Sequence, residues 1–311
     1  MVKQSPALAR LYPFTPRRIE VNGHSLAVVD EGQGPVVVLL HGNPTWSFMY
    51  RHLIGALRDR YRVLAVDHLG CGNSDKPRHY PYRLADHIDN LEWLLAKLDI
   101  TRATLVMHDW GGAIGMGYAV RHPESIAGLV LCNTAAFPSK RMPLRIRLCR
   151  LPLLGALAVR GGNLFARAAL IMAVRRPMTA AIKNGFLAPY DSWHNRVAVL
   201  RFVQDIPMGP RHPSWPTLVA IEQGLGQFRQ TPVLLAWGGK DFCFNRDFLA
   251  QWQAIYPQAA SRCFNQAGHY VFEDAHLEIE PLIRAFLERH NGNRGSTYEP
   301  SPTNCRWQVQ F

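Results

Sequence analysis

The 311-residue chain predicts a doubly wound α/β fold: a mostly parallel sheet with helices on both faces and a helical insertion between two of its strands. Three observations predict it. Short apolar runs, too uniform for strands wetted on one face, alternate with amphipathic helical stretches. Polar, glycine-bearing turns follow those runs, at the strand carboxyl ends where open α/β sheets place their sites. Between residues 134 and 213 strand signals stop, helical sequence takes over, and strands then resume.

Taken in order, Arg18 to Asp30 reads as a hairpin around Asn22-Gly23, a strong turn signal. Val36 to Leu40 is a buried strand ending in His41-Gly42-Asn43-Pro44-Thr45-Trp46, and Phe48 to Arg60 is an amphipathic helix. Tyr61 to Val66 is the next strand, ending at Asp67. The Gly70-Cys71-Gly72 loop beyond it is a turn; it lacks the third glycine and the helix of a dinucleotide fingerprint. Leu84 to Leu98 places Leu84, Ile88, Leu91, Leu95 and Leu98 on one helix face. Ala103 to Met107 and Ile126 to Leu131 are strands with a helix, Ala113 to Val120, between them. After the insertion come a strand at Val233 to Trp237, a helix at Phe248 to Tyr256, a short strand at Ser261 to Asn265 and a closing helix at Leu277 to His290. Residues 1–133 and 214–290 are thus read as the α/β core and 134–213 as a cap, or lid. Residues 291–311, rich in Gly, Ser, Pro and Asn, read as a flexible tail.

The stretch Leu105 to Gly115, LVMHDWGGAIG, is a strand, a sharp glycine turn and a helix, the layout of a nucleophile elbow with Asp109 at its apex. An aspartate there also suits a plain helix cap. A helix N-terminus stabilises an anion through its free N–H groups and its dipole, so the position can keep a carboxylate ionised. Asp241 and His269 each follow a later strand. Asp109, Asp241, His269 is the chain order nucleophile, acid, base of the α/β-hydrolase triad. A carboxylate displaces a leaving group at saturated carbon and leaves an alkyl ester on the enzyme. A histidine oriented by a second carboxylate then activates water against that ester. The backbone N–H groups of Asn43 and Trp110 are expected to form the oxyanion hole. Their side chains, amide and indole, are expected to hold the leaving anion. His41 and His108 are read as structural, bonding backbone around the elbow.

The six cysteines show no paired spacing, so neither a zinc site nor a disulfide framework is expected, and no cofactor motif appears. No apolar run has the length of a membrane span, and the N-terminus lacks an apolar leader. A cytoplasmic protein is the expectation. The net charge of +12 is uneven. No acidic residue lies between Glu124 and Asp191, an interval with ten cations: Lys140, Arg141, Arg145, Arg147, Arg150, Arg160, Arg167, Arg175, Arg176 and Lys183. A solvated helical face, an acidic partner and an anionic membrane surface all fit that run. Nucleic acid does not, because the arginines alternate with Leu, Ile and Ala and not with stacking aromatics.

HGNPTWSFMYR (His41 to Arg51), DHLGCGNSDKP (Asp67 to Pro77), HDWGG (His108 to Gly112), WGGKDF (Trp237 to Phe242) and AGHYVFED (Ala267 to Asp274) together resemble the haloalkane dehalogenase branch of the α/β-hydrolases, over about Tyr12 to His290. By position the resemblance puts nucleophile, acid and base on Asp109, Asp241 and His269, and the anion-holding pair on Asn43 and Trp110. RFVQDIPMGPRHPS (Arg201 to Ser214) resembles one subgroup, the β-lactone decarboxylases of bacterial long-chain olefin biosynthesis. That likeness implies an apolar substrate, conversion of cis-dialkyl β-lactones to cis-alkenes and carbon dioxide, and partners among other olefin-biosynthesis enzymes in large assemblies. The alternatives are haloalkane hydrolysis, epoxide hydrolysis and a non-enzymatic binding role. Epoxide hydrolases share the elbow but use cap tyrosines, and this insertion contains only Tyr190.

Overall fold

Five runs are apolar at nearly every position, with Arg62, Thr104 and Gly128 the exceptions, so each strand they form must be covered on both faces. The computed structural model, which describes residues 2–3 and 5–290, meets that requirement with one eight-stranded sheet. The hairpin forms its antiparallel edge, β1 (Arg17–Val21) and β2 (His24–Glu31), turning through Asn22 and Gly23 at φ 50° and 73°. Then come β3 (Val36–Leu40), β4 (Arg62–Asp67), β5 (Ala103–Asp109), β6 (Ile126–Thr134), β7 (Val233–Gly238) and β8 (Ala260–Phe264). The spatial order is β1-β2-β4-β3-β5-β6-β7-β8, and all pairs from β4 onward are parallel. Leu40, Leu105, Met107, Leu131 and Leu235 face one apolar layer. Leu39, Val106, Val130 and Ala236 face the other.

The helices of the two layers are α1 (Pro6–Leu11), α2 (Arg51–Leu57), α3 (Leu84–Lys97) and α4 (Trp110–Arg121) before the insertion. The chain between β6 and β7 is helical: α5 (Leu144–Cys149), α6 (Leu154–Ala156), α7 (Leu164–Met172), α8 (Ala180–Leu187), α9 (Val197–Gln204) and α10 (Trp215–Gly224). α11 (Arg246–Ile255), α12 (Val271–Asp274) and α13 (His276–His290) complete the fold. α10 packs on α3 and α4 and belongs with the sheet. The tail read at 291–311 lies outside the described residues.

Beyond shifts of a few residues at strand and helix ends, three features differ from the sequence reading. The helix expected from Phe48 begins as a 3₁₀ turn, Ser47–Tyr50, and ends at Leu57. The elbow helix starts at Trp110, not Ala113, because Gly111 and Gly112 are packed into it despite their low helix propensity. A Cβ on Gly111 would stand 2.0 Å from the Leu40 carbonyl oxygen, and one on Gly112 1.8 Å from Thr134 Oγ1. α10 was not foreseen; Pro216 in its first turn, after Pro213, reads as loop sequence.

These contacts predict opposite signs for two glycine substitutions. Gly112→Ala forces apart α4 and β6 and is expected to cost about 1–3 kcal/mol. Gly55→Ala, in the interior of α2 with nothing within 4 Å of the new methyl, is expected to gain roughly 0.5–1 kcal/mol. Urea unfolding of the two variants checks both signs.

Candidate active site

β3, β5, β6, β7 and β8 end along one edge of the sheet, and each is followed by one of the polar residues of interest. Asp109 closes β5 at φ 52°, ψ −124°, a backbone that non-glycine residues rarely adopt. Its side chain makes no capping bond to the helix it precedes. The plain cap reading therefore fails: Oδ1 accepts the Asn43 backbone N–H at 2.8 Å, and Oδ2 stands 3.6 Å from His269 Nε2. Gly42 allows this approach, since a Cβ there would lie 2.0 Å from Asp109 Oδ1. Thr134 Oγ1 donates to the Asp109 carbonyl and ties the elbow to β6.

His269 follows β8, and its Nδ1 donates to Asp241 Oδ2 at 2.8 Å. Asp241 Oδ1 accepts the Cys243 N–H at 2.7 Å. Asn133, at the end of β6, donates from Nδ2 to Asp241 Oδ2 at 2.9 Å and accepts the Gly238 N–H at 2.7 Å. Asp274 holds the His269 loop from the other side. It accepts the N–H of Gly268, and those of Arg175 and Arg176 from the chain after α7. The structure thus brings Asp109, Asp241 and His269 together.

Burial pushes the Asp109 carboxyl above its usual value, against the pull of His269 and of the Asn43 and Trp110 N–H groups. Burial opposes charge on Asp241 as well. There the His269 ring, its hydrogen bond and the Cys243 N–H prevail and hold the carboxyl low. Burial alone would depress His269; Asp241, its hydrogen bond and Asp109 raise it instead. An ionised Asp241, an imidazolium and an anionic Asp109 support one another at these distances.

The Asn43 and Trp110 side chains are placed differently. Asn43 Nδ2 donates to the Val199 carbonyl on α9 at 3.1 Å, so one amide hydrogen is committed to the chain between β6 and β7, and Asn43 Oδ1 is buried without a partner among the described residues. The Trp110 indole makes no hydrogen bond among the described residues, and its ring packs on Phe202 with centroids 5.2 Å apart. His41 and His108 are structural, as read. His41 Nδ1 donates to the Gly42 carbonyl and Nε2 accepts the His68 N–H. His108 Nε2 donates to the His269 carbonyl at 2.8 Å, and burial pushes its ring down to about 3, so it stays neutral. Tyr190 donates its hydroxyl to the Thr45 carbonyl at 2.8 Å and is fully buried, which leaves no free phenol from the insertion for an epoxide oxygen. Among the described residues no group of His, Cys, Asp and Glu is arranged to hold a metal ion.

Sequence reasoning missed Asn133, Asp274 and Gly42. Asn133 reads as the end of a strand, although its positive φ of 40° marks a turn. Asp274 stands inside the AGHYVFED segment but at a helix terminus, where an acidic residue draws no notice.

Residues 35–152 match the model of the alpha/beta hydrolase fold family. The chain is 44% identical over 293 residues to a cis-3-alkyl-4-alkyloxetan-2-one decarboxylase of Xanthomonas campestris, covering 90% of this chain and 98% of that protein. It is 45% identical over 287 residues to a protein of the same name from Shewanella oneidensis, covering 90% of each. Among solved structures, haloalkane dehalogenase DbeA from Bradyrhizobium elkani superposes with a TM-score of 0.80 at 25% identity, covering 88% of this chain and 98% of that one. With relatives of that identity matched over nearly their whole length, the chain belongs to the α/β-hydrolase family that holds these decarboxylases together with the haloalkane dehalogenases.

Proposed function

We propose that the protein is an enzyme that decarboxylates cis-dialkyl β-lactones to cis-alkenes, with Asp109 as nucleophile, His269 and Asp241 completing the triad, and residues 134–213 as the cap. The observation that carries the reading is the 44–45% identity to two proteins named for that substrate class, over 90% of this chain. The site geometry supports it. Oδ1 of Asp109 is pinned by the Asn43 N–H, so Oδ2, facing His269, is the attacking oxygen.

Asp109 Oδ2 forms a bond to the ring carbon that bears the ring oxygen, with inversion, and that carbon–oxygen bond breaks to release a carboxylate. In the free protein one Asn43 amide hydrogen is tied to Val199; the other, and the free Trp110 indole N–H, are the donors for the released carboxylate. Anti loss of carbon dioxide follows. The pair of electrons from the breaking carbon–carbon bond becomes the alkene, and Asp109 departs as a carboxylate. Inversion followed by anti elimination is net syn loss, so a cis lactone gives a cis alkene. All atoms of the lactone leave as alkene and carbon dioxide, with no water consumed. Haloalkane hydrolysis uses the same triad and is the second reading, favoured by the superposition on a dehalogenase. There the Asn43 and Trp110 N–H groups hold the oxyanion on Oδ1 while His269 directs water at the ester.

A single turnover in heavy-oxygen water separates the two. On a cis-dialkyl β-lactone the expected products are cis-alkene and carbon dioxide, with Asp109 unlabelled in its peptide mass. Label in Asp109 during alkene formation eliminates the water-free route. Halide release from 1,2-dibromoethane as fast as lactone turnover favours the dehalogenase. Asp109→Ala is expected to abolish turnover of either substrate, and full activity in that variant refutes the nucleophile.

The pH dependence has a definite sign. Attack requires Asp109 ionised, and burial raises its pKa, so activity is complete well above that pKa and is lost as the pH falls through it. The acid limb of kcat/KM should therefore lie above the ordinary aspartate value near 3.9. A limb at or below that value contradicts the assignment.

A further inference from the structure

The cap carries a surface that the chemistry at Asp109 does not use. Of the twelve large apolar side chains exposed among the described residues, eight lie between Leu144 and Ile171. Leu144 is 68% exposed, Leu153 80% and Ile171 73%, and Leu148, Leu151, Leu154, Leu157 and Leu164 are also exposed. They sit on one connected layer: α5 packs on α6, and the turn Leu157–Gly161 packs on both α6 and α7. Leu153 projects from backbone at φ 59°, ψ −62°, a conformation that branched residues avoid. A soluble surface seldom gathers this many aliphatic side chains without a use for them.

The same stretch supplies the charge. Arg145, Arg147, Arg150, Arg160 and Arg167 form no ion pair among the described residues. Three of them bond only to a sulfur or to carbonyls: Arg145 to Met172, Arg150 to Met142 and Gln204, Arg160 to Trp193. Of the ten cations between Glu124 and Asp191, Arg141 alone is paired among the described residues, with Asp247. Trp193, 45% exposed, lies against the Arg160 guanidinium at 4.6 Å.

Aliphatic side chains mixed with arginines, flanked by an exposed tryptophan, are the chemistry of a membrane interface. Protein-docking patches draw instead on Tyr, Trp, Phe and Met at their centre, and here all eight apolar residues are Leu or Ile. A second copy of this face would set arginines against arginines. No single helix among the described residues is long and apolar enough to cross a membrane. Leu154–Gly161 and Leu164–Met172 together have the length and composition of a span but are bent by 70° at the break between them.

We propose that the cap face from Leu144 to Ile171 docks on an anionic lipid bilayer, its leucines entering the boundary of the acyl chains and its arginines meeting the lipid phosphates. The proposal is independent of the reaction assigned to Asp109. It is tested by co-sedimentation of the full chain with phosphatidylglycerol–phosphatidylcholine vesicles and with phosphatidylcholine vesicles. Wild-type protein is expected to pellet with the anionic vesicles, and to do so less in high salt. Leu153→Glu/Leu154→Glu and Arg145→Glu/Arg147→Glu are each expected to weaken binding by roughly tenfold or more while keeping the wild-type melting curve. Leu153→Ser and Leu157→Ser replace any double variant that fails to fold. Wild type left in the supernatant overturns the proposal. So does equal binding to neutral vesicles, or wild-type binding by folded variants of either pair. A concentration-dependent dimer that Leu153→Glu/Leu154→Glu abolishes, without vesicle binding, overturns it in favour of a second copy.

Discussion

The structure is arranged around one largely buried carboxylate, Asp109, at the tip of a strained turn. Its φ of 52° costs on the order of 1–3 kcal/mol. Burial adds a further penalty against the charged form. Everything around it offsets those two costs. Gly42 leaves room for the Asp109 carboxylate, Gly111 for the Leu40 carbonyl and Gly112 for the Thr134 hydroxyl, where any side chain would collide. Thr134 and Asn43 bond to it from β6 and from the β3 loop, and His269 brings a counter-charge from the far side of the sheet. The parallel sheet supplies the common edge on which these groups meet. Antiparallel strands would have sent half of them to the other end.

Much of this was legible in the sequence, for a physical reason. Strands buried on both faces must be apolar throughout, so Val36 to Leu40 and Val233 to Trp237 announce themselves, and the polar residues after them are read at the correct edge. What was hidden is whatever depends on a partner distant in the chain. Asn133 matters because β7 and its loop bring Gly238 and Asp241 to it, 105 and 108 residues on. The Asn43 amide was expected to be able to hold a leaving anion. It is partly occupied because Val199, 156 residues away, presents a carbonyl. The domain boundaries at 133, 213 and 290 rest on changes in composition; α10, which begins just after residue 213, packs on the core helices α3 and α4. Asp205 ties α9 to Leu84 at the start of α3 and to Ser214, so the end of the cap is bonded into the core.

The cap shows the limit from the opposite direction. Leu144 and Leu148 stand one turn apart on α5, an apolar spacing that equally suits a core face or an outer one. In the structure they face outward. Periodicity reports that one side of a helix is apolar; it cannot report what covers that side.

The triad itself does not decide between the two reactions. Two carboxylates raise His269 in the free protein and favour the imidazolium. If Asp109 is the nucleophile, as proposed, its conversion to an ester removes one of those charges and the pKa of His269 falls. A halide-derived ester needs that fall, because its only escape is hydrolysis and the base must be neutral to take a proton from water. A lactone-derived ester is different, since the neighbouring carbon carries a carboxylate whose electrons can expel Asp109 from within. For that step a neutral base is of no use. Positive charge on His269 helps, because it stabilises the Asp109 carboxylate as it re-forms. The same three side chains thus serve hydrolysis or elimination according to whether the bound ester brings its own anion.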